Sequence, residues 1–368
     1  MARKVKEDLM SYLTSEILEG KVSKITAVLC IKLLGVIFAT LVFARFSPLI
    51  DSNLYISGYY DMSSGLRTMI VQTLAVMLNG IGGTFFTHLV FGYISALGVL
   101  YYLATGGRKW LIVLVLLLPS SLVWTSIAGK EALFFGGFTL LLVIWSRFAV
   151  GAMSRVDLIF AVLAVIICSL LRPHYSIIII WLFFSVAIVK KYGDKAWLIL
   201  VIGMMFGVLA TYLLAWTELL LRGFGGIDPS ARASRFQLLD ILQSSSSGYE
   251  RFKLFIPMGM IFGIVGPLPE ELFKRPEFLP FFVEGLFILL SPLLVYRYAC
   301  AKSFNGKNLF FKFYWWCLMP AVLAVMILHS PFGVLNPGSA IRWRTNFETV
   351  FYMAPLLLLF QFKDLFRK

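Results

Sequence analysis

Uncharged runs of about 17–24 apolar residues recur from Ile25 to the C-terminus, each long enough to cross the roughly 30 Å hydrocarbon core of a bilayer as a helix. Ten spanning candidates are predicted, at about 25–45, 81–104, 110–127, 132–148, 157–171, 175–189, 197–217, 279–296, 313–330 and 346–362. Composition closes the other routes: of 368 residues 60% are apolar and only 14% charged. A soluble enzyme, a disordered chain and a secreted disulfide scaffold are excluded. Cys30, Cys168 and Cys317 lie within apolar runs and Cys300 in a Lys-rich connection, so no disulfide framework or CxxC metal motif is present. The expected fold is an all-α polytopic membrane protein with about ten transmembrane helices.

Charge sets the expected topology. The chain carries a net charge of +14, but no basic stripe interleaved with exposed aromatics points to nucleic acid. Arg108 and Lys109, Arg147 and Arg155, Lys190, Lys191 and Lys195, and Arg297, Lys302, Lys307 and Lys312 fall in alternate short connections. The positive-inside rule places these connections and both termini in the cytoplasm. Residues 1–24 read as a cytoplasmic amphipathic helix, with Val5, Leu9, Leu13 and Ile17 at helical spacing. Glu7, Asp8, Glu16 and Glu19 there speak against a secretory signal. Residues 25–368 form one transmembrane domain with outward segments 46–80, 218–278 and 329–348. Phe255–Leu268 is too short and too broken by Pro257, Gly259, Gly263, Gly266 and Pro267 to cross, and reads as a re-entrant or interfacial segment. Lys32 alone lies well inside a predicted span, where it can snorkel toward the cytoplasm.

The candidate functional residues all face outward in this topology. Asp51 follows the first span, and Asp61 follows Tyr59–Tyr60. A carboxylate at the lipid boundary suits a general base, though either residue also suits a cap at the interface. Leu66, Ile70, Leu74 and Met77 predict a helix along the membrane surface, with Gly80, Gly82 and Gly83 turning it into the next span. Lys130 and Glu131 form a lone charged pair after Pro119 and Ser120, Ser121 and Ser126. Lys130 can hold a phosphate as a point charge or simply snorkel, and Glu131 is a second candidate carboxylate. Arg172 and His174 flank Pro173 in a tight turn, pairing a phosphate fork with a proton acceptor. Gly333, Asn336, Pro337 and Gly338 predict a shaped loop, and Ser339 a cap for a helix bearing Arg342 and Arg344. Positions two apart do not share a helix face, so one of these arginines is expected to reach a ligand. In 218–278, Arg235 and its neighbours predict a lid, Glu270 and Glu271 line a cavity, and His329 sits at a helix end on the same side. No P-loop, GxGxxG, HExxH or DxD occurs, so no nucleotide, metal or other cofactor is expected.

These motifs, in this order, resemble the bacterial O-antigen and exopolysaccharide polymerases (the Wzy and EpsG-like proteins) and, more distantly, the GT-C glycosyltransferases. The resemblance rests on Asp51, Pro119 to Glu131, Leu171 to His174, Pro257 to Glu271, and Asn336 to Arg344. It implies a GT-C-like membrane enzyme of the cytoplasmic (inner) membrane, active at its outer face, that joins polyprenyl-diphosphate-linked oligosaccharides into a surface polysaccharide. Asp51, His174 and Glu131 would be catalytic, and Arg172, Arg342, Arg344 and Lys130 would hold the donor diphosphate. Asp61, Arg235, Glu270, Glu271 and His329 would serve the acceptor and lid. Implied partners are the lipid-linked substrate, membrane lipid, a chain-length regulator and other polysaccharide-assembly proteins. The chain lacks the adjacent acidic pair common in GT-C members, and no clean pair of large periplasmic loops with a repeated Arg-and-Gly pattern is seen. A GT-C transferase using polyprenyl-monophosphate sugars is the neighbouring alternative. A transporter or flippase for the lipid-linked sugar is another, disfavoured by charges gathered at one boundary and by the missing internal repeat.

Overall fold

A computed structural model describes residues 22–46, 49–59, 65–224, 259–266, 272, 273, 275–335 and 337–365. It is 88% helical, with no strand among the described residues. Six helical stretches are long and apolar enough to cross a membrane: Val22–Arg45, Leu66–Ser95, Lys130–Ala149, Pro173–Leu214, Pro276–Ala301 and Lys307–Ser330. The chain is therefore an all-α membrane protein. Asp61, Arg235, Glu270, Glu271 and the expected helix at 1–24 lie outside the described residues, apart from Val22–Lys24 at the start of the first helix.

The helices run in chain order as α1 (Val22–Arg45), α2 (Ile50–Ser57), α3 (Leu66–Ser95), α4 (Leu97–Ala104), α5 (Trp110–Val113), α6 (Pro119–Trp124), α7 (Lys130–Ala149), α8 (Arg155–Leu171), α9 (Ser176–Tyr192) and α10 (Ala196–Phe224). Then follow α11 (Leu279–Ala301), α12 (Lys307–Phe313), α13 (Met319–Leu335), α14 (Pro337–Arg344), α15 (Glu348–Phe351) and α16 (Met353–Leu365). Helix α7 is the axis of the bundle and packs against α3, α4, α8 and α16. Phe134, Phe135, Phe138 and Trp145 on α7 are all buried, so this helix is apolar all round and faces protein on every side. Gly136 allows the closest crossing: a Cβ there would lie 2.1 Å from the Ile94 carbonyl oxygen of α3.

The basic turns gather at the end of α7 away from Lys130. The Tyr101 hydroxyl donates to Asp157 at 2.6 Å and Arg147 donates to the same carboxylate at 3.1 Å, while Ser154 and Asp157 form a reciprocal cap on α8. Lys24 donates to the Arg108 carbonyl at 3.0 Å, and Lys312 pairs with Asp194 at 2.7 Å. These contacts tie the connections that carry the cytoplasmic signal to the ends of the helices they join.

Three segments depart from the expected pattern. The surface helix and the span after it form one run, α3, whose backbone breaks helical geometry at Gly83 (φ 77°), a conformation costly to any residue with a Cβ. The expected span at 110–127 is not one helix: it passes through α5, a 3₁₀ turn at Leu114–Leu117 and α6. Pro119 lacks the N–H that would continue a helix and disfavours helical backbone at Leu118, which is extended at ψ 134°. The expected loop after Gly333 is also shorter, because α13 runs to Leu335 and α14 begins at Pro337 rather than at a Ser339 cap.

Residues 259–265 are helical, and this helix ends at Gly266. Gly259 meets α13 so closely that a Cβ would lie 2.1 Å from the Ser330 carbonyl oxygen. The Arg344 guanidinium donates to the Gly266 carbonyl, which satisfies the polar backbone at the break.

Candidate functional site

Four chain segments converge at the Lys130 end of α7. Glu131, in its first turn, is 3% exposed. Its Oε1 accepts from Arg172 Nη2 at 2.6 Å, at the end of α8, and from Arg342 Nε at 2.9 Å, on α14. A second nitrogen of Arg342 donates to Asp51 on α2. One guanidinium thus bridges two carboxylates, and one carboxylate bridges two guanidiniums. Burial alone would push the Arg342 guanidinium down, but Glu131 and then Asp51 hold it well above its usual value. Arg172 is almost wholly buried, and burial pushes its guanidinium down while Glu131 opposes the shift.

Aromatic rings support these charges. The Arg172 guanidinium lies 4.5 Å from the centre of the Trp343 ring, and the His174 ring stacks on Trp343 at 6.3 Å with 12° between planes. Arg342 sits 5.9 Å from the Trp124 ring centre. Lys130 Nζ donates to Thr68 Oγ1 at 2.8 Å and lies 5.7 Å from the Tyr55 ring centre. Beside this cluster is a cavity of about 210 Å³ lined by Asp51, Ser52, Tyr55, Trp124, Glu131 and Arg342, among others. It offers carboxylate and guanidinium on one side and aromatic faces on the other. Tyr55 carries no motif signal, and Trp343, though within the Asn336 to Arg344 motif, is identified by its contact with the charged groups.

The structure therefore joins Asp51, Lys130, Glu131, Arg172, His174 and Arg342 at one place. Arg344 is turned away from it, and His329 lies behind it, edge to face on the Trp343 ring at 6.3 Å. The rotation of two helical positions that carries Arg342 to the cluster turns Arg344 inward, where it is fully buried and donates to Glu284 at 3.3 Å and to the Phe281 and Gly266 carbonyls. Arg344 is an interior ion-pair partner rather than a diphosphate ligand. His329 is 1% exposed, shares a hydrogen bond with the Tyr175 hydroxyl and packs 4.3 Å from the Phe347 ring centre. It is thus enclosed by Tyr175, Trp343 and Phe347.

Arg344 belongs to a second polar network inside the bundle. The Ser120 N–H and hydroxyl both donate to Glu284, the hydroxyl at 2.7 Å, and the Ser121 hydroxyl donates to Glu348. Lys32 does not snorkel: it is fully buried, and its Nζ donates to Thr125 Oγ1 at 2.5 Å. The broken segment at α6 needs these distant partners, because irregular backbone at membrane depth survives only when protein satisfies it. The three His/Cys/Asp/Glu side chains that a metal site needs do not converge anywhere among the described residues. No family model matches the chain, and no curated protein or solved structure matches it.

Proposed function

We propose that this chain is an integral-membrane glycosyltransferase that joins polyprenyl-diphosphate-linked oligosaccharides into a surface polysaccharide. The observation that carries the reading is the Asp51–Arg342–Glu131–Arg172 cluster beside a small aromatic-lined cavity, at the end of the bundle opposite its basic turns. With about ten spans and the basic turns in the cytoplasm, that end faces outward from the inner membrane of a bacterium. A lipid-linked donor keeps its tail in the bilayer and its anionic leaving group at this boundary.

Each residue then has a role. Arg172, Arg342 and Lys130 stabilise the charge that develops on the diphosphate as the sugar–phosphate bond breaks. Asp51, the more exposed of the two carboxylates, takes the proton of the acceptor hydroxyl. Glu131 keeps the two guanidiniums charged and oriented, and His174 on the Trp343 ring borders the acceptor side. The cavity suits one sugar ring, with Tyr55 and Trp124 offering apolar faces and Asp51 and Arg342 reaching hydroxyls. A GT-C-like arrangement and association with a chain-length regulator and other assembly proteins belong to the same reading, and single-sugar transfer from a polyprenyl monophosphate is its alternative.

A second reading, movement of the lipid-linked sugar across the membrane, is favoured by the buried set Lys32, Glu284, Arg344 and Glu348. Product analysis with a purified lipid-linked repeat unit separates the readings. A ladder supports the polymerase, one added sugar the single-step transferase, and lipid movement without product the flippase. Arg172→Ala and Arg342→Ala are expected to abolish polymer while the protein still inserts. Full-length polymer from both variants would refute the diphosphate clamp.

A further inference from the structure

An apolar groove of about 520 Å³ runs beside α7, between α3 and α4 on one side and α8 on the other. Its walls are hydrocarbon from end to end. Gly137 and Ala164 form part of the floor, and the small side chains let the groove sink between α7 and α8. At one end the Tyr101 and Phe160 rings close it edge to face, 5.4 Å apart. Along α8, from Phe160 to Leu171, the groove follows about 16 Å of helix at 1.5 Å per residue.

The other end lies toward the cationic cluster. Ile70, Leu133 and Leu171 line that end, and each belongs to a different wall helix. Each also lies within one helical turn of a basic residue: Arg67 before Ile70, Lys130 before Leu133, and Arg172 after Leu171. The three helices that enclose the groove therefore each carry a cation within one turn of the same end. Arg67, Lys130 and Arg172 are close enough to repel one another. Arg172 Nε, in a nearly fully buried side chain, has no hydrogen-bond partner among the described residues. A donor left buried without a partner costs about 1–3 kcal/mol, and an anionic oxygen at the mouth would satisfy it.

A second apolar crease, of about 310 Å³ between α9, α10 and α13, has no Lys or Arg within one helical turn of any residue that lines it. Of these two grooves, the first alone sets hydrocarbon next to cationic residues.

We propose that the groove between α3, α7 and α8 holds the isoprenoid chain of a polyprenyl phosphate or diphosphate, with the phosphate at Arg67, Lys130 and Arg172. The proposal rests on the reading of the cluster as a lipid-linked donor site, and it fixes which face of the bundle the donor enters by. A single groove with one closed end accommodates one chain, whereas a phospholipid would leave its second chain outside. Donor sugar would then emerge beyond Lys130, next to the cavity that holds Asp51. Arg67 joins the donor contacts, which the sequence did not mark.

The test is photolabelling of the full chain in nanodiscs with a polyprenyl phosphate carrying a diazirine in its isoprenoid chain. Labels are expected on α7 and α8, at residues such as Gly137, Ala164 and Ile167, and not in the crease at α9 and α10. Leu163→Trp and Ile167→Trp fill the groove at positions already half exposed to lipid, so folding is retained. They are expected to lower polyprenyl phosphate binding by about tenfold or more, because displaced methylenes lose their burial. Binding of inorganic diphosphate, which needs only the cations, stays unchanged. Labelling in the α9–α10 crease, unaltered binding by both Trp variants, or equal competition by phosphatidylglycerol would overturn the proposal. Because the readout is binding, it is separate from turnover: specific labelling with no glycosyl product would sink the enzyme reading and leave the groove standing.

Discussion

Glu131→Gln keeps the side-chain shape and removes the one anion that Arg172 and Arg342 share. The side chains of Glu131 and Arg172 are both 4% exposed, so water cannot replace the lost charge. Removing one partner of a buried pair costs about 3–5 kcal/mol, because the other charge is stranded. The amide oxygen still accepts one hydrogen bond, which recovers about 1 kcal/mol. The expected loss of stability is therefore about 2–4 kcal/mol, read from chemical unfolding in micelles. Removing the stranded charge as well, in Glu131→Gln with Arg172→Met, should be less damaging than the single change. Anion binding moves the other way: without Glu131 the guanidiniums are free to take a ligand, so inorganic diphosphate should bind more tightly at low salt and lose that gain at high salt. A loss below about 1 kcal/mol, the range of solvated pairs, would mean that the cluster is wet. A double variant no more stable than the single one, or weaker diphosphate binding by folded Glu131→Gln, would refute the shared-anion argument.

Asp51 differs from Glu131 in burial, and that separates chemistry from folding. Its side chain is 42% exposed, so Asp51→Asn should cost at most about 1 kcal/mol of stability yet lower turnover about 100-fold or more. Wild-type turnover of a lipid-linked substrate by this variant would remove Asp51 as the base. Arg344→Met should do the reverse, destabilising by about 3–5 kcal/mol while the folded fraction binds inorganic diphosphate normally. Lost affinity without lost stability would return Arg344 to the site.

Much of this was legible where a signal is local. The apolar run with Lys130 and Glu131 at its start is α7, and the glycines near 80–83 hold the break at Gly83. Two arginines at positions 342 and 344 were expected on different faces, and they are. Illegible features depend on partners far along the chain. The segment at 110–127 is apolar enough for a span, and partners such as Glu284 and Glu348, 164 and 227 residues away, help make its broken backbone tolerable. Lys32 carries no local sign that Thr125 will meet it, so the long flexible side chain alone suggested snorkelling. Hydrogen bonds across such separations follow from packing, which periodicity does not encode.

The two ionic networks differ in a way that bears on function. Lys32, Arg344, Glu284 and Glu348 balance in formal charge, and Ser120, Ser121 and Thr125 donate into or accept from the set. A balanced, enclosed set is what an interrupted helix needs, and it asks for no further ion. Lys130, Arg172 and Arg342 against Asp51 and Glu131 leave one excess positive charge, and Arg67 nearby adds another. Positive charge that gathers at the end opposite the basic turns runs against the bias that orients membrane helices. Among the described residues no further carboxylate pairs with Lys130, Arg172 or Arg342, so the cluster is suited to an anion. The interior network therefore reads as scaffold, and the boundary cluster, with its excess positive charge, as the place to test for the phosphorylated ligand proposed above.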